Sequence, residues 1–258
     1  MKKNRILVGV PMFNCERQIS RVLDQFDSSI SSVIDEVLVV DNRSEDNSYE
    51  NAKSHISSEN LIITVLKNKL NYNLGGSHKT IFNYAIKNCF DYVIILHGDD
   101  QANIHDLIPY IESGEYLEFD CMLGSRFMRL SKTSGYGIIR IWGNLIFNFI
   151  FSITTGMAIK DMGSGLNIFS MNIIKEKDHS NASDDLTFNC YLLLNMIHKK
   201  RSMVFFPISW REHDQISNAK LFKQAFKILG ILKSYTFHRS SFLQKNHSSF
   251  AKYEAEKR

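Results

Sequence analysis

The sequence predicts an α/β domain, a mostly parallel central sheet flanked by helices, on three observations. Short apolar, β-branched runs alternate with helix-compatible stretches, and that alternation implies parallel strands joined by right-handed crossovers. The runs are nearly continuously apolar, as strands are when both faces of their sheet are covered. Each run also closes on polar or conformationally special residues. Ligands of such sheets lie outside the carboxyl ends of the strands, so a site is expected where those ends converge.

The first strand is expected over residues 5–11. Asn14 is placed to cap the helix that follows, whose apolar positions are Ile19, Val22, Leu23 and Phe26. "DEVLVVD" at 35–41 is a second strand closing on Asp41, and helix-compatible sequence runs over 44–55. "LIITVLK" at 61–67 is a third strand. "NYNLGGSHKTIFNYAIKN" is a glycine turn and then a helix with Ile81, Tyr84, Ala85 and Ile86 on one side. "FDYVIILHG" at 90–98 and "FDCMLGS" at 119–125 are the fourth and fifth strands. Residues 11–14, 41–42, 97–101 and 124–126 are therefore expected to meet.

The 258 residues, 44% hydrophobic and 22% charged, suit one large domain with a substantial core. Only 3 prolines and 13 glycines argue against disordered or fibrous tracts. The formal charge of +4 is unevenly spread: residues 218–258 carry 9 Lys/Arg against 2 Asp/Glu, and the first 217 carry 22 against 25. The basic character belongs to the tail and predicts an anionic partner for it; nucleic acid is not expected. Cys15, Cys89, Cys121 and Cys190 show no CxxC spacing; Cys89 and Cys121, in apolar contexts, read as reduced core residues, and a disulfide or zinc framework is not expected. The apolar run at 6–11 is too short for a signal peptide, which predicts a cytoplasmic protein.

Asp99, Asp100 and Gln101 follow the fourth strand in "ILHGDDQANIHDL". Adjacent carboxylates repel, and desolvating either is costly unless a cation or a donor answers it. Two answers are open. Hard oxygen ligands in a tight turn suit Mg²⁺ or Mn²⁺ bridging to a diphosphate, and the same aspartates can cap a helix before Ile104. Asp41 favours the first, as a second carboxylate at a neighbouring strand end, suited to a uracil edge or a ribose hydroxyl.

"VGVPMFNCERQI", "EVLVVDNRSEDNS", the "NYNLGGSHKTIFNYAI" turn, "YVIILHGDDQ" and "GSRF" occur in the order and rough spacing of the family-two glycosyltransferases with the GT-A fold. The chain resembles these enzymes over about residues 5–215, and among them the polyprenyl-phosphate, dolichyl-phosphate mannose synthase-like branch. The resemblance implies a single Rossmann-like GT-A domain, a nucleotide-diphosphate-sugar donor and a divalent cofactor, Mg²⁺ or Mn²⁺. It assigns Pro11, Phe13, Asn14 and Asp41 to the nucleotide, and the family's D-x-D-x-Q signature to metal and diphosphate. Matched on Gln101, that signature falls on His97 and Asp99, with Asp100 an extra carboxylate. Asp99, Asp100 and Gln101 are the expected ligands; His97 is either a further ligand, suited to Mn²⁺, or structural.

Downstream, "KDMGSGLNIFS" resembles the family's D-x-x-S-G-F-R stretch beside the acceptor, with Asp161, Ser164 and Gly165 matching and Asn167 in place of the arginine. Arg126 and Arg140 are candidates for an acceptor phosphate, since guanidinium forks fit phosphate oxygens; pairing with an acid is the alternative. "ISWREHDQISNAK" resembles the family's flexible loop, which implies that Arg211, Ser217 and Lys220 close over the donor diphosphate. In "ASDDLTFN" an acid serves as catalytic base in hydroxyl-glycosylating relatives, whereas helix capping before Leu186 is the plain reading. Asp161 and Asp185 are thus the catalytic candidates.

The expected reaction is metal-dependent, inverting transfer to a membrane polyprenyl phosphate. The alternative acceptor is a sugar hydroxyl of a glycan or lipid-linked saccharide, which needs Asp185 as base where an ionised phosphate does not. A nucleotidyltransferase would carry a Gly-rich basic first loop, which "PMFNCE" lacks. A non-catalytic membrane-surface module remains a second alternative, raised by His97 and Asn167.

Residues 141–159 are uncharged, about the length of a membrane span. Arg140, Asn144, Asn148, Ser152 and Thr155 draw a polar stripe along that helix, which a lone spanning helix would not need. A helix packed in the protein or lying at a membrane interface is expected. From Lys220 a basic amphipathic helix follows, with lysines at 220, 223, 227 and 233; it either packs on the domain or adsorbs to anionic lipid. Past about His238 the polar chain is expected to fray. The expected organisation is a catalytic domain at 1–217 and a basic tail at 218–258, peripheral at the inner face of the membrane.

Overall fold

The computed structural model describes residues 4–55, 61–214 and 221–257. The five expected strands form within one or two residues of their predicted bounds: β1 (Ile6–Met12), β2 (Glu36–Asp41), β3 (Ile62–Asn68), β4 (Tyr92–Leu96) and β5 (Cys121–Ser125). Further strands are β6 (Lys132–Ser134), β7 (Leu166–Ser170), β8 (Met203–Pro207), β9 (Ser209–Arg211) and β10 (Ala255–Glu256). The helices are α1 (Ile19–Leu23), α2 (Ser28–Ser31), α3 (Ser48–Ser54), α4 (Asn73–Lys87) and α5 (Ile108–Glu112), then α6 (Ile138–Thr155), α7 (Met171–Ile174), α8 (Phe188–His198), α9 (Leu221–Phe237) and α10 (Arg239–Gln244).

The central sheet has the order β10-β3-β2-β1-β4-β7-β5-β8, and a two-stranded pair, β6-β9, stands apart from it. β3, β2, β1 and β4 are parallel, as the alternation requires. The exception that matters is β7, antiparallel to both β4 and β5. Its direction brings its start, not its end, to the carboxyl ends of its neighbours: Leu166 pairs with Leu96, and Asn167 with Leu123. The stretch from Asp161 to Gly165 therefore arrives at the site edge.

Two apolar layers cover the sheet. Ile6, Val8, Val10 and Met12 of β1 pack with α1, α3 and α5 on one face. Leu7 and the even side chains of β2 pack with α4, α8 and α9 on the other. At about 25 cal/mol per Å² of apolar surface, such two-sided burial is the main driving term for the fold.

Three local expectations differ. Cys89, expected in the core, is exposed in the turn after α4. Asn14 does not cap α1, which starts at Ile19 after Gln18; its carboxamide instead accepts the Glu45 N–H at 2.9 Å. Past His238 the chain is ordered through residue 257 rather than frayed. α10 buries Phe242, and β10 adds an antiparallel edge to β3, where main-chain pairing offsets the polar composition.

Candidate active site

Parallel register leaves the strand ends flush: Met12 lies opposite Asp41, and Asp41 opposite Lys67. Asp41 is fully buried. Its Oδ1 accepts the Ser44 N–H at 3.1 Å. Its Oδ2 has no hydrogen-bond donor, with the Lys67 ammonium 3.4 Å away. The Pro11 carbonyl accepts the Gly98 N–H at 3.1 Å and the Met12 carbonyl accepts that of Asn42 at 2.8 Å, so the ends of β1, β2 and β4 are stitched together. Phe13 is half-buried and Asn14 exposed on this edge. Asn14, Arg43 and Asp100 have φ of 51°, 68° and 59°. Non-glycine residues rarely adopt that left-handed region, and such residues gather at functional sites.

His97 turns inward. Its Nε2 lies 3.2 Å from that of His78 on α4, so one ring donates and the other accepts. Burial holds both imidazoles below their ordinary value. A Cβ on Gly165 would come within 2.9 Å of the His97 ring, so glycine is required there for close approach. Asp99 is half-buried. Burial raises its carboxyl, partly opposed by His97 and by the Gln101 N–H.

Asp100, an expected metal ligand, is held by two arginines. Its Oδ2 takes Arg21 Nε at 2.7 Å, its Oδ1 takes Arg211 and Gln25 at 3.3 Å, and its carbonyl accepts Arg211 Nε at 2.8 Å. Two guanidinium groups answer this second aspartate. Among the described residues no cluster of three or more His, Cys, Asp or Glu could hold a metal. Asp99 with Gln101 fits a cation that keeps waters and draws other oxygens from phosphate, not a protein cage.

The arginines are also paired, each with an acid. Buried Arg126 forms a fork with Asp161, Nε to Oδ2 at 2.7 Å and Nη2 to Oδ1 at 2.8 Å, and its guanidinium lies over Trp210, Phe127 and Tyr136 at 4.9, 5.1 and 5.4 Å. Arg140 Nη1 sits 2.7 Å from the Glu212 carboxylate, and Glu212 Oε1 also accepts Gln101 Nε2 at 3.1 Å. The expected free phosphate forks are therefore closed. Asn167 bonds Ser164 and the Gly124 N–H, joining β7 to β5 rather than facing an acceptor. Ser217 and Lys220 lie outside the described residues.

A family model described as glycosyl transferase family 2 matches residues 7–179. The chain belongs to this family. It is a glycosyltransferase that uses a nucleotide sugar. It is 28% identical over 176 residues to an uncharacterized protein of Methanocaldococcus jannaschii, covering 68% of this chain and 69% of that protein. It is 22% identical over 169 residues to the dodecaprenyl-phosphate galacturonate synthase of Rhizobium johnstonii, covering 65% of this chain but 48% of that protein. Glucosyl-3-phosphoglycerate synthase from Mycobacterium tuberculosis, crystallised with Mn²⁺, uridine diphosphate and phosphoglyceric acid, superposes with a TM-score of 0.63 at 12% identity, covering 98% of this chain and 86% of that one. That likeness is one of fold, the expected GT-A architecture.

In this glycosyltransferase the two acids before α8 have different surroundings. Asp185 accepts Thr187 N at 2.8 Å and Thr187 Oγ1 at 2.6 Å, and Lys227 of α9 pairs with its other oxygen. Burial alone would raise this carboxyl, but Lys227 and Thr187 outweigh it and hold it below its ordinary value. Asp184 is a buried anchor. Lys79 Nζ lies 2.7 Å from it, Tyr253 Oη 2.5 Å and the Ser249 N–H 2.5 Å, while its carbonyl accepts the Gly75 N–H at 2.7 Å. The tail is thereby tied to α4 beside the site. Sequence reasoning missed Arg21, His78 and Glu212. Only Glu212 carried a signal, its place next to Arg211.

Proposed function

We propose that this family-2 enzyme transfers a sugar, with inversion, from a nucleotide-diphosphate donor to a membrane polyprenyl phosphate. The observation that carries the reading is that both candidate bases are engaged: Asp161 with Arg126, and Asp185 with Lys227 and Thr187. A sugar hydroxyl needs a base to take its proton, whereas a phosphate attacks already ionised. Likeness to a dodecaprenyl-phosphate galacturonate synthase supports the same acceptor class. Such an enzyme works at the cytoplasmic face of its membrane.

Pro11, Phe13, Asn14 and Asp41 hold the nucleoside, and the buried Asp41 oxygen that lacks a hydrogen-bond donor takes a base N–H or ribose hydroxyl. Asp99, with Gln101, would hold a divalent cation arriving with the diphosphate; when bound, it supplies charge neutralisation for the leaving group. Arg211 meets the donor phosphates. Arg140 meets the acceptor phosphate by exchanging Glu212 for it. This pair is the easier to open, being 29% and 17% exposed where Arg126 and Asp161 are 8% and 1%. Arg126 and Asp161 stay together and set the floor of the acceptor side.

Radiolabelled nucleotide sugar incubated with membrane extract tests the reading: label should enter lipid. Label entering only water-soluble or oligosaccharide products, with activity lost in Asp185→Asn, refutes it. Asp99→Asn should remain folded and lose metal-dependent uridine or guanosine diphosphate binding; unchanged affinity refutes the cation role.

A further inference from the structure

α6 is amphipathic with its apolar face outward. Of its 18 residues only Asn148 and Phe151 are buried. Its polar stripe faces the domain and is used there: Asn144 donates to Tyr136 Oη at 3.0 Å, Asn148 to the Lys160 carbonyl at 2.8 Å, and Ser152 Oγ accepts the Ile159 N–H at 2.8 Å. Ile138, Ile139, Trp142, Ile146, Phe149 and Ile153 are left in solvent, Ile139 81% exposed and Phe149 66%. A helix docked on a soluble domain ordinarily presents these two faces the other way round, and so contiguous an apolar surface marks an interaction site.

Charge selects the partner. α9 packs beside α6, and neither helix contains an acidic residue. No Asp or Glu occurs between Asp214 and Glu254. α9 exposes Lys223, Lys227 and Lys233, as well as Phe226 and Phe237. Apolar side chains beside a cationic, acid-free helix complement an anionic lipid surface.

We infer that α6 is the membrane-docking element, lying in the plane of an anionic bilayer with its outer face in the headgroup–acyl boundary and α9 alongside as an electrostatic contact. The same helix carries Arg140 to Glu212, which also accepts Gln101, so docking sets the acceptor side of the site against the lipid surface. The inference deepens the proposed membrane placement. Its test contains neither donor nor acceptor, so it can fail while the acceptor reading stands, and the reverse.

The purified full chain is mixed with phosphatidylcholine–phosphatidylglycerol vesicles and with phosphatidylcholine vesicles, and followed by co-sedimentation and tryptophan emission. Trp142 is exposed and Trp210 buried, so a blue shift on vesicle addition reports α6. The shift should vanish in Trp142→Phe while co-sedimentation persists. Ile146→Asp and Phe149→Asp should weaken binding at least tenfold at an unchanged melting temperature. Lys223→Gln and Lys233→Gln should each weaken binding to anionic vesicles up to about fivefold, since a lysine near such a surface is worth about 1 kcal/mol. Vesicle binding indifferent to both aspartates, or equal on the two lipids at all salt concentrations, overturns the inference. So does a dimer that the aspartates dissociate in a chain that ignores vesicles, which assigns the face to a second copy.

Discussion

Asp185→Asn separates a carboxylate that moves a proton from one that holds structure. The substitution removes the charge facing Lys227 and keeps a side-chain oxygen for Thr187. The Lys227 and Asp185 side chains are 42% and 38% exposed, so solvent and salt screen the pair, and its loss costs about 0.2–1 kcal/mol. The melting temperature should therefore fall by about 0.5–4 °C. Because Lys227 and Thr187 depress the folded carboxyl, the contribution is present above the unfolded value of about 4 and lost as pH falls through the folded one. On the phosphate-acceptor reading kcat/KM should change by less than about threefold. Loss of a general base would lower it about 10²- to 10⁴-fold, or about 3–5 kcal/mol of barrier. The assay is nucleoside diphosphate release with membrane extract, beside thermal melts of both proteins. A fall beyond about 100-fold with a melting-temperature loss no larger than that expected refutes the reasoning and makes Asp185 the base.

Lys79→Met should destabilise the fold by about 3–5 kcal/mol, because it strands the buried Asp184 charge, and Lys79→Met with Asp184→Leu should recover part of the loss; equal melting temperatures for wild type and single variant would contradict this. His179 is buried with neither ring nitrogen bonded, and burial, with Lys79 and Lys177 nearby, pushes it down to about 3. The unfolded chain binds the extra proton between that value and about 6.5, so stability should fall by up to about 1.4 kcal/mol per pH unit as pH drops through that window. Denaturant melts of His179→Leu should lack this slope, and an identical slope in both proteins would exclude His179 as its source. A Cβ on Gly75 would sit 2.5 Å from the Ser183 carbonyl oxygen, so Gly75→Ala should lose about 1–3 kcal/mol and loosen the Asp184 anchor, read as faster proteolysis of the tail.

Elements with local signatures were legible in the sequence. β1 to β5 announce themselves as apolar β-branched runs, and their polar closures mark the site edge before any coordinate is known. The glycosyltransferase motifs were legible for the same reason: each is a short string at one strand end. β7 and β8 were not. "LNIFS" and "MVFFP" are five-residue apolar runs whose length fits other states as well, and nothing local to β7 makes it antiparallel. Its direction follows from where the chain re-enters the sheet between β4 and β5.

The sequence alone determined which residue types stand at each strand end and that α6 carries a polar stripe. Tertiary structure decided what those residues meet. Arg126 and Asp161 are 35 positions apart, Arg140 and Glu212 72, Asp100 and Arg211 111, and no periodicity reaches that far. The arginines expected to wait for phosphate are closed on carboxylates, and for buried Arg126 a paired anion offsets the cost of desolvating the guanidinium. The stripe on α6 was visible in the spacing, but its direction was not. A helix can bury either face, and here the Ile159 N–H and the Lys160 carbonyl take their polar partners from α6, whose apolar side is turned outward.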